Sequence, residues 1–422
     1  MIALYVWAAP FNIGVVSLGL ILVKCISIMR VAFLYNHSTA HQVPHTAPYA
    51  FALSCRHAGL EVVLAYSSAA ERTMLERIAE KYPDHRCIFH ALAVPALYQL
   101  VDPLISVITF EKKKQVLRHN LDFFLDCDAL VTPELTSLRL KRVHGLNHLQ
   151  MILVPHGAGD RAESYDPRIA EFDHVLVPGW KTFERMLKEG CVRKRDASVV
   201  GYAKFEALSG RLGHRFFDND KPTVLYNPHF EPRLSSWQRH GRAVLNYFIS
   251  QREFNLIFAP HILLFRRFLR HRAWLPRLSI PDHVLIDCGS ERSIDMSYAC
   301  AADIYLGDAS SQVYEFVYHP RPCIFLNSQG VDWRQDPNYA HWHLGEVIES
   351  PDQLAGALGR ANRLFELRYR AVQVDAAAAT FVSPDNGLSV AECGADIIAQ
   401  QLRAKGVTEQ NPLPKEPALS GR

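Results

Sequence analysis

Paired cysteines, a charge excess, short-period repeats and acidic metal clusters are all missing from this 422-residue chain. Its nine cysteines stand singly, with no CxxC pair, which supplies neither a disulfide framework nor a thiolate zinc site. Isolated thiols of this kind fit a reducing cytosol. A formal net charge of only +3, with no nucleic-acid-reading motif, argues against a nucleic-acid partner. What is present is the composition of a globular protein, 49% hydrophobic and 21% charged. The length exceeds that of one ordinary core, so two domains are expected.

Residues 1–29 form a hydrophobic N-terminal segment. From Ile2 to Val23 no charge occurs, and Lys24 and Arg30 follow. That run is long enough to span a bilayer and hold the rest on the cytoplasmic side. It lacks the basic n-region and cleavage site of a secretory signal. The alternative is a start at Met29, where MRVAFLY opens directly into a strand. Both readings leave the remaining chain cytoplasmic.

Short apolar runs then alternate with amphipathic stretches: RVAFLY, LEVVLAYS, CIFHAL, DALVT, QMILVPH, HVLVPG and ASVVGY. A helix is expected around Tyr49–Ala58. The pattern loosens over 204–221 and restarts with PTVLYNPH, FNLIFAPH, HVLIDC, ADIYLG and RPCIFLN. Strands alternating with helices predict doubly wound parallel sheets. We therefore expect an α/β protein of the GT-B arrangement, two Rossmann-like domains facing a cleft. The N-terminal acceptor domain is placed at 30–205 and the C-terminal nucleotide-donor domain at 220–405. A last helix is expected over roughly 387–404, and 408–422 reads as a disordered tail.

Ligands of such sheets bind outside the carboxyl ends of the strands. His156-Gly157 closes QMILVPHG, and His261 closes FNLIFAPH. Asn227 and His229 close TVLYNPH, and Asp308, Ser310 and Ser311 close IYLGDASS. A histidine titrating near neutrality suits general-base activation of a hydroxyl, so His156 is the candidate base. The glycines behind it permit close approach of a substrate. His261 is placed to donate to a phosphate oxygen or a leaving group. Ser310 and Ser311 offer donors to a diphosphate at a helix start, and Glu315, one turn on, is placed to reach ribose hydroxyls. Asp308 is either part of this cradle or the helix N-cap.

The loop HSTAHQVPH (37–45) spaces three histidines four apart, but Pro44 would break the helix that aligns them, and no metal is expected. As a loop at the cleft it offers His41 to an acceptor. RRFLRHRAWLPRL (266–278) carries five arginines among apolar residues, the composition of a face for anionic lipid or of a solvated surface helix.

Taken in order, His156-Gly157, VVGYAKFE (199–206), Ala259-Pro260-His261, Asp308-Ala309-Ser310-Ser311 with Glu315, RPCIFLN and DNGLSVAE resemble the CDP-glycerol glycerophosphotransferase family of teichoic-acid and capsule polymer enzymes. The resemblance covers roughly 145–400. It implies a GT-B transferase with His156 as base, His261 and the serines holding the donor diphosphate, and Glu315 holding the ribose. Pro155, Ala259, Ala203-Lys204 and Ala309 depart from the family pattern, and they bear on the donor more than on the fold. The expected activity is transfer of a glycerophosphate-like group from a CDP-linked donor to a hydroxyl of an envelope polymer or lipid-linked acceptor, at the inner face of the membrane. No tightly bound cofactor is expected. The alternatives are a nucleotide-sugar glycosyltransferase or UDP-sugar 2-epimerase, for which Asp160 and Glu134 are the acidic candidates, and a non-catalytic nucleotide-binding scaffold.

Overall fold

The computed structural model describes residues 28–37, 40–96, 98, 106–208, 215–267 and 280–410. The apolar run from Ile2 to Val23, most of the arginine-rich stretch and the tail beyond Gln410 lie outside the described residues.

The first strand, β1 (Met29–Tyr35), shows why the apolar runs are continuous. Val31, Phe33 and Tyr35 enter one core layer while Ala32 and Leu34 enter the other. A strand covered on both faces needs apolar residues at every position. It is joined by β2 (Leu60–Tyr66), β3 (Ile88–Ala91), β4 (Ala129–Thr132), β5 (Gln150–Leu153), β6 (His174–Val177) and β7 (Ala197–Val199). These make a seven-stranded parallel sheet in the order β3-β2-β1-β4-β5-β6-β7. The second sheet holds β8 (Thr223–Asn227), β9 (Asn255–Phe258), β10 (Val284–Ile286), β11 (Ile304–Gly307), β12 (Cys323–Leu326) and β13 (Glu346–Ile348). It is parallel too, in the order β10-β9-β8-β11-β12-β13. Both sheets reverse direction beside their first strand, at β1/β4 and β8/β11, and those reversals open the crevices in which a ligand can sit.

The helices that matter to the site are α1 (Val43–Arg56), α2 (Ala69–Ala79), α3 (Ser106–His119) and α4 (Trp180–Lys188) in the first half. The second half has α5 (Arg242–Ser250), α6 (Gln312–Val317), α7 (Leu354–Leu364), α8 (Arg370–Thr380) and α9 (Val390–Gln410). Helix α1 begins six residues before the expected Tyr49. Pro44 lies in its first turn, where a missing N–H leaves no bond unmade, so this proline starts the helix and does not break it. Three-residue β13 and helices α7 and α8 gave no sequence signal of their own.

The last helix departs most from the expected organisation. By sequence it belongs to the 220–405 domain, yet its buried Ala391, Ala395, Ile398, Ala399 and Leu402 complete the core around β1 and α1. A Cβ at Gly394 would lie 2.3 Å from the Tyr49 ring, so only glycine admits this packing. The Glu206 carboxylate accepts the first-turn N–H groups of Val390 and Ala391, satisfying donors that have no intrahelical partner. Burying Ile398 and Leu402 contributes roughly 1.5–3 kcal/mol each. The helix runs to Gln410, into the stretch read as tail. No helix among the described residues is long and apolar enough to cross a membrane.

Candidate active site

A cavity of about 280 Å³ lies between the carboxyl ends of the two sheets, and six histidines line it. His37 follows β1, His41 sits in a 3-10 turn (Ala40–Gln42), and His45 is in the first turn of α1. His156 follows β5, His229 follows β8 and His261 follows β9. Residues 40–45 are therefore a turn and helix start facing the cleft, with the His37 and His41 rings 4.5 Å apart and His41 and His156 6.1 Å apart. Among the described residues no group of three His, Cys, Asp or Glu is arranged to hold a metal ion.

Two of these histidines are fixed in opposite tautomers. The Nδ1 of His156 lies 2.8 Å from the Pro133 carbonyl, which can only accept, so Nδ1 carries the proton and Nε2 is the basic nitrogen. Desolvation within the confined cleft pushes this imidazole below its ordinary pKa, though the Pro133 carbonyl and Glu134 resist the shift. In His261 the Nδ1 accepts the Leu263 N–H at 3.3 Å, so the proton sits on Nε2. One ring is thereby a base and the other a donor. His41 and His45 are held well below the usual range, burial being the main cause.

The Asp308–Glu315 segment divides its work differently from the sequence expectation. Asp308 neither caps α6 nor lines the cavity. It is buried, and its carboxylate accepts the N–H groups of His229 (2.9 Å), Ser236 (2.6 Å) and Ala309 (2.8 Å) and the Ser236 hydroxyl (2.8 Å). It braces the loop after β8 against β11. Burial raises its pKa to about 6 against the pull of those donors. Ser310 is also turned inward, its Oγ accepting from Gln312 N–H at 3.3 Å, and Ser311 takes the N-cap position. Of the pair, only Ser311 lines the cavity, together with Glu315. Asn227 is likewise withdrawn: its amide donates to the Ala259 carbonyl (2.7 Å) and accepts from Tyr305 (3.3 Å). It joins β8 to its neighbours and does not reach the cavity. Gly157 does line it. The glycine that needs its smallness is Gly159, where a Cβ would meet Ser311 Cβ at 2.8 Å. The close approach there is by the opposite domain, not by a substrate.

The structure adds residues that sequence reasoning passed over. Lys204 donates to both carboxylate oxygens of Glu315, at 2.7 and 2.8 Å, and the Tyr202 hydroxyl donates to Glu315 at 2.8 Å. The GYAK segment enters the sequence reading as part of a family motif, with Ala203-Lys204 as a departure from it, and not as a partner of Glu315. Arg161 places its guanidinium 2.7 Å from His229 Nε2, while the Glu231 N–H donates to His229 Nδ1 at 3.0 Å. A neutral imidazole has one acceptor nitrogen, so both donors are satisfied only when Arg161 turns to another acceptor. Glu163 is such an acceptor, pairing with Arg161 at 3.0 Å.

Asp160 is a tie between the domains. It accepts from the Tyr314 hydroxyl (2.7 and 2.9 Å), from the His341 N–H (3.0 Å) and Nδ1 (3.1 Å), and from Lys181 (3.0 Å). Burial alone would raise its pKa, but these partners hold it below the usual carboxylate range. Glu134 is paired with Lys113.

Two parallel sheets wound in this order and sharing one cleft define a protein of the GT-B fold. No protein-family model matches the sequence, and no curated protein matches it either. Among solved structures, the wall teichoic acid polymerase TagF is similar with a TM-score of 0.58 and 14% identity over 89% of each chain. A putative UDP-N-acetylglucosamine 2-epimerase from Listeria monocytogenes gives a TM-score of 0.56 and 15% identity, covering 92% of this chain and 98% of that one. S. aureus MnaA, solved with UDP, gives 0.55 and 14%, covering 92% and 99%. These neighbours are enzymes, and at such identities the likeness extends to the fold.

Proposed function

We propose that this chain is a transferase that moves a phospho-alcohol from a nucleotide-diphosphate donor, CDP-linked by preference, to a hydroxyl of an envelope polymer or lipid-linked acceptor at the membrane's inner face. The opposed tautomers of His156 and His261 in one cavity carry this reading. The acceptor oxygen forms a bond to the phosphorus that bears the alcohol, and the bond from that phosphorus to the bridging oxygen breaks. The acceptor proton passes to His156 Nε2, and the electron pair leaves on the nucleoside monophosphate, which His261 Nε2–H is suited to meet. Arg161 and Ser311 hold phosphate oxygens, and Glu315 meets the ribose by sharing or displacing Lys204. Phosphoryl transfer asks mainly for such positioning and charge neutralisation. No tightly bound cofactor enters this scheme. TagF, of the same fold, has been solved after soaking with CDPG.

The 2-epimerase reading has neighbours of comparable similarity. It is the weaker one because Glu315 is the one carboxylate lining this cavity among the described residues, and Lys204 already holds it. Asp160 and Glu134, its acidic candidates, are engaged elsewhere. A silent scaffold would have no use for a base oriented as His156 is.

A thermal-shift panel of CMP, CDP, UMP, UDP and GDP on wild type and Arg161→Ala tests the proposal. Stabilisation by cytidine nucleotides that weakens in the variant is expected. A uridine preference would move the chemistry to glycosyl transfer or epimerisation, and no shift with any nucleotide would overturn the reading.

A further inference from the structure

A second cavity, of about 230 Å³, adjoins the first and shares with it His156, Gly157 and Ser311. Its other walls are unlike those of its neighbour. The main cavity presents the cations Arg161 and Lys204, whereas the second presents Glu134 and Glu163, with no Lys or Arg among its described lining residues. Leu153, Ile169 and Met186 supply apolar surface there, beside the Ser164 hydroxyl and Tyr165, on whose ring the Arg185 guanidinium packs at 4.0 Å. The cation partners of the two carboxylates, Lys113 and Arg161, stand outside this cavity.

We propose that this second cavity is the acceptor subsite and that it takes an uncharged, polyhydroxylated chain end, a sugar or polyol. The inference rests on the transferase reading and extends it. Carboxylates accept from hydroxyls, and apolar walls meet the C–H faces of a sugar ring, whereas a phosphate would face carboxylates with no lining cation. A base in the wall common to both cavities meets a donor phosphorus from one side and an acceptor hydroxyl from the other. His156 Nε2 takes the proton of that hydroxyl while its oxygen bonds to phosphorus and the nucleotide leaves with the electron pair of the broken P–O bond.

Saturation-transfer NMR on the full chain, saturated with CDP, tests this with methyl β-glucoside and glycerol as neutral probes and glucose 6-phosphate as the anionic one. Signal from the neutral probes, at least tenfold lower in Leu135→Trp, is expected. The Leu135 side chain lines this cavity and not the main one, so the nucleotide-induced thermal shift should be unchanged in that variant. If Leu135→Trp does not fold, Ser164→Trp at the exposed rim makes the same comparison. Neutral-probe signal that persists in the variant, that is absent from wild type, or that is exceeded by glucose 6-phosphate would overturn the subsite. Failure of nucleotide binding itself would instead overturn the transferase reading beneath it.

Discussion

Lys204 of the first domain spans the cleft to Glu315 of the second, and both side chains are nearly buried, at 6% and 11% exposure. The pair sits where the proposed function has Glu315 meet a ribose, and in this structure the carboxylate is held by an ammonium. The Tyr202 hydroxyl on the same carboxylate makes the contact a three-membered clamp between domains.

Lys204→Met should leave a buried carboxylate without its cation and lower stability by about 3–5 kcal/mol. Adding Glu315→Gln to Lys204→Met should recover part of that loss. Chemical denaturation of the two single variants and the double variant measures the coupling, and strictly additive effects would show that the clamp contributes nothing.

His156→Asn should lower the transfer rate by roughly 10²–10⁴-fold while leaving the nucleotide-induced thermal shift in place. Because desolvation within the cleft depresses the His156 pKa, the ring stays unprotonated below its ordinary 6.5. The acid limb of the rate profile should therefore fall below that pH, and a limb at 7 or above would exclude His156 as the base.

Arg161→Ala removes the cation that crowds His229. Loss of a charged hydrogen bond to phosphate is worth about 1.5–3 kcal/mol, so nucleotide diphosphate affinity should drop roughly 10–100-fold. Titration calorimetry with CDP is the measurement, and an unchanged Kd would remove Arg161 from the site.

Glu71 is wholly buried behind His37, accepting the N–H groups of His37 (2.7 Å) and Ser67 (2.9 Å). Burial pushes its pKa from 4.5 up to about 7 against those donors. A carboxyl whose folded pKa is raised contributes stability that is complete below 4.5 and is lost as pH rises through about 7. The full effect is about 3 kcal/mol. Urea midpoints at pH 5 and pH 8 should differ more for wild type than for Glu71→Gln; equal differences would assign the slope to other groups.

Asp308→Ala should unfold the β8–β11 crevice because four donors lose one acceptor. A loss of about 2–4 kcal/mol in stability is expected. A variant of unchanged Tm that fails to bind nucleotide would return Asp308 to the donor site.

The strands and their carboxyl ends were legible because a doubly covered parallel strand has to be apolar throughout, and polar residues mark where it stops. His156, His229, His261 and Ser311 came from that rule alone, and all four line the cavity. The rule failed for Asn227, Asp308 and Ser310, which stand at strand ends too. A strand end specifies a location, while the direction of a short polar side chain depends on which neighbour offers it a partner. Arg161 and Lys204 were missed for the converse reason, since long cations on loops look like ordinary surface until the fold brings a histidine or a carboxylate opposite them.

The sequence by itself determined the two parallel sheets, their alternation with helices and the set of histidines at their ends, because burial and chain periodicity act locally. Only the tertiary structure decided that α9 returns to the first domain, that Lys204 holds Glu315, and that His156 stands between two cavities. Each of these depends on residues more than a hundred positions apart meeting in the core or across the cleft, and no local pattern encodes that meeting.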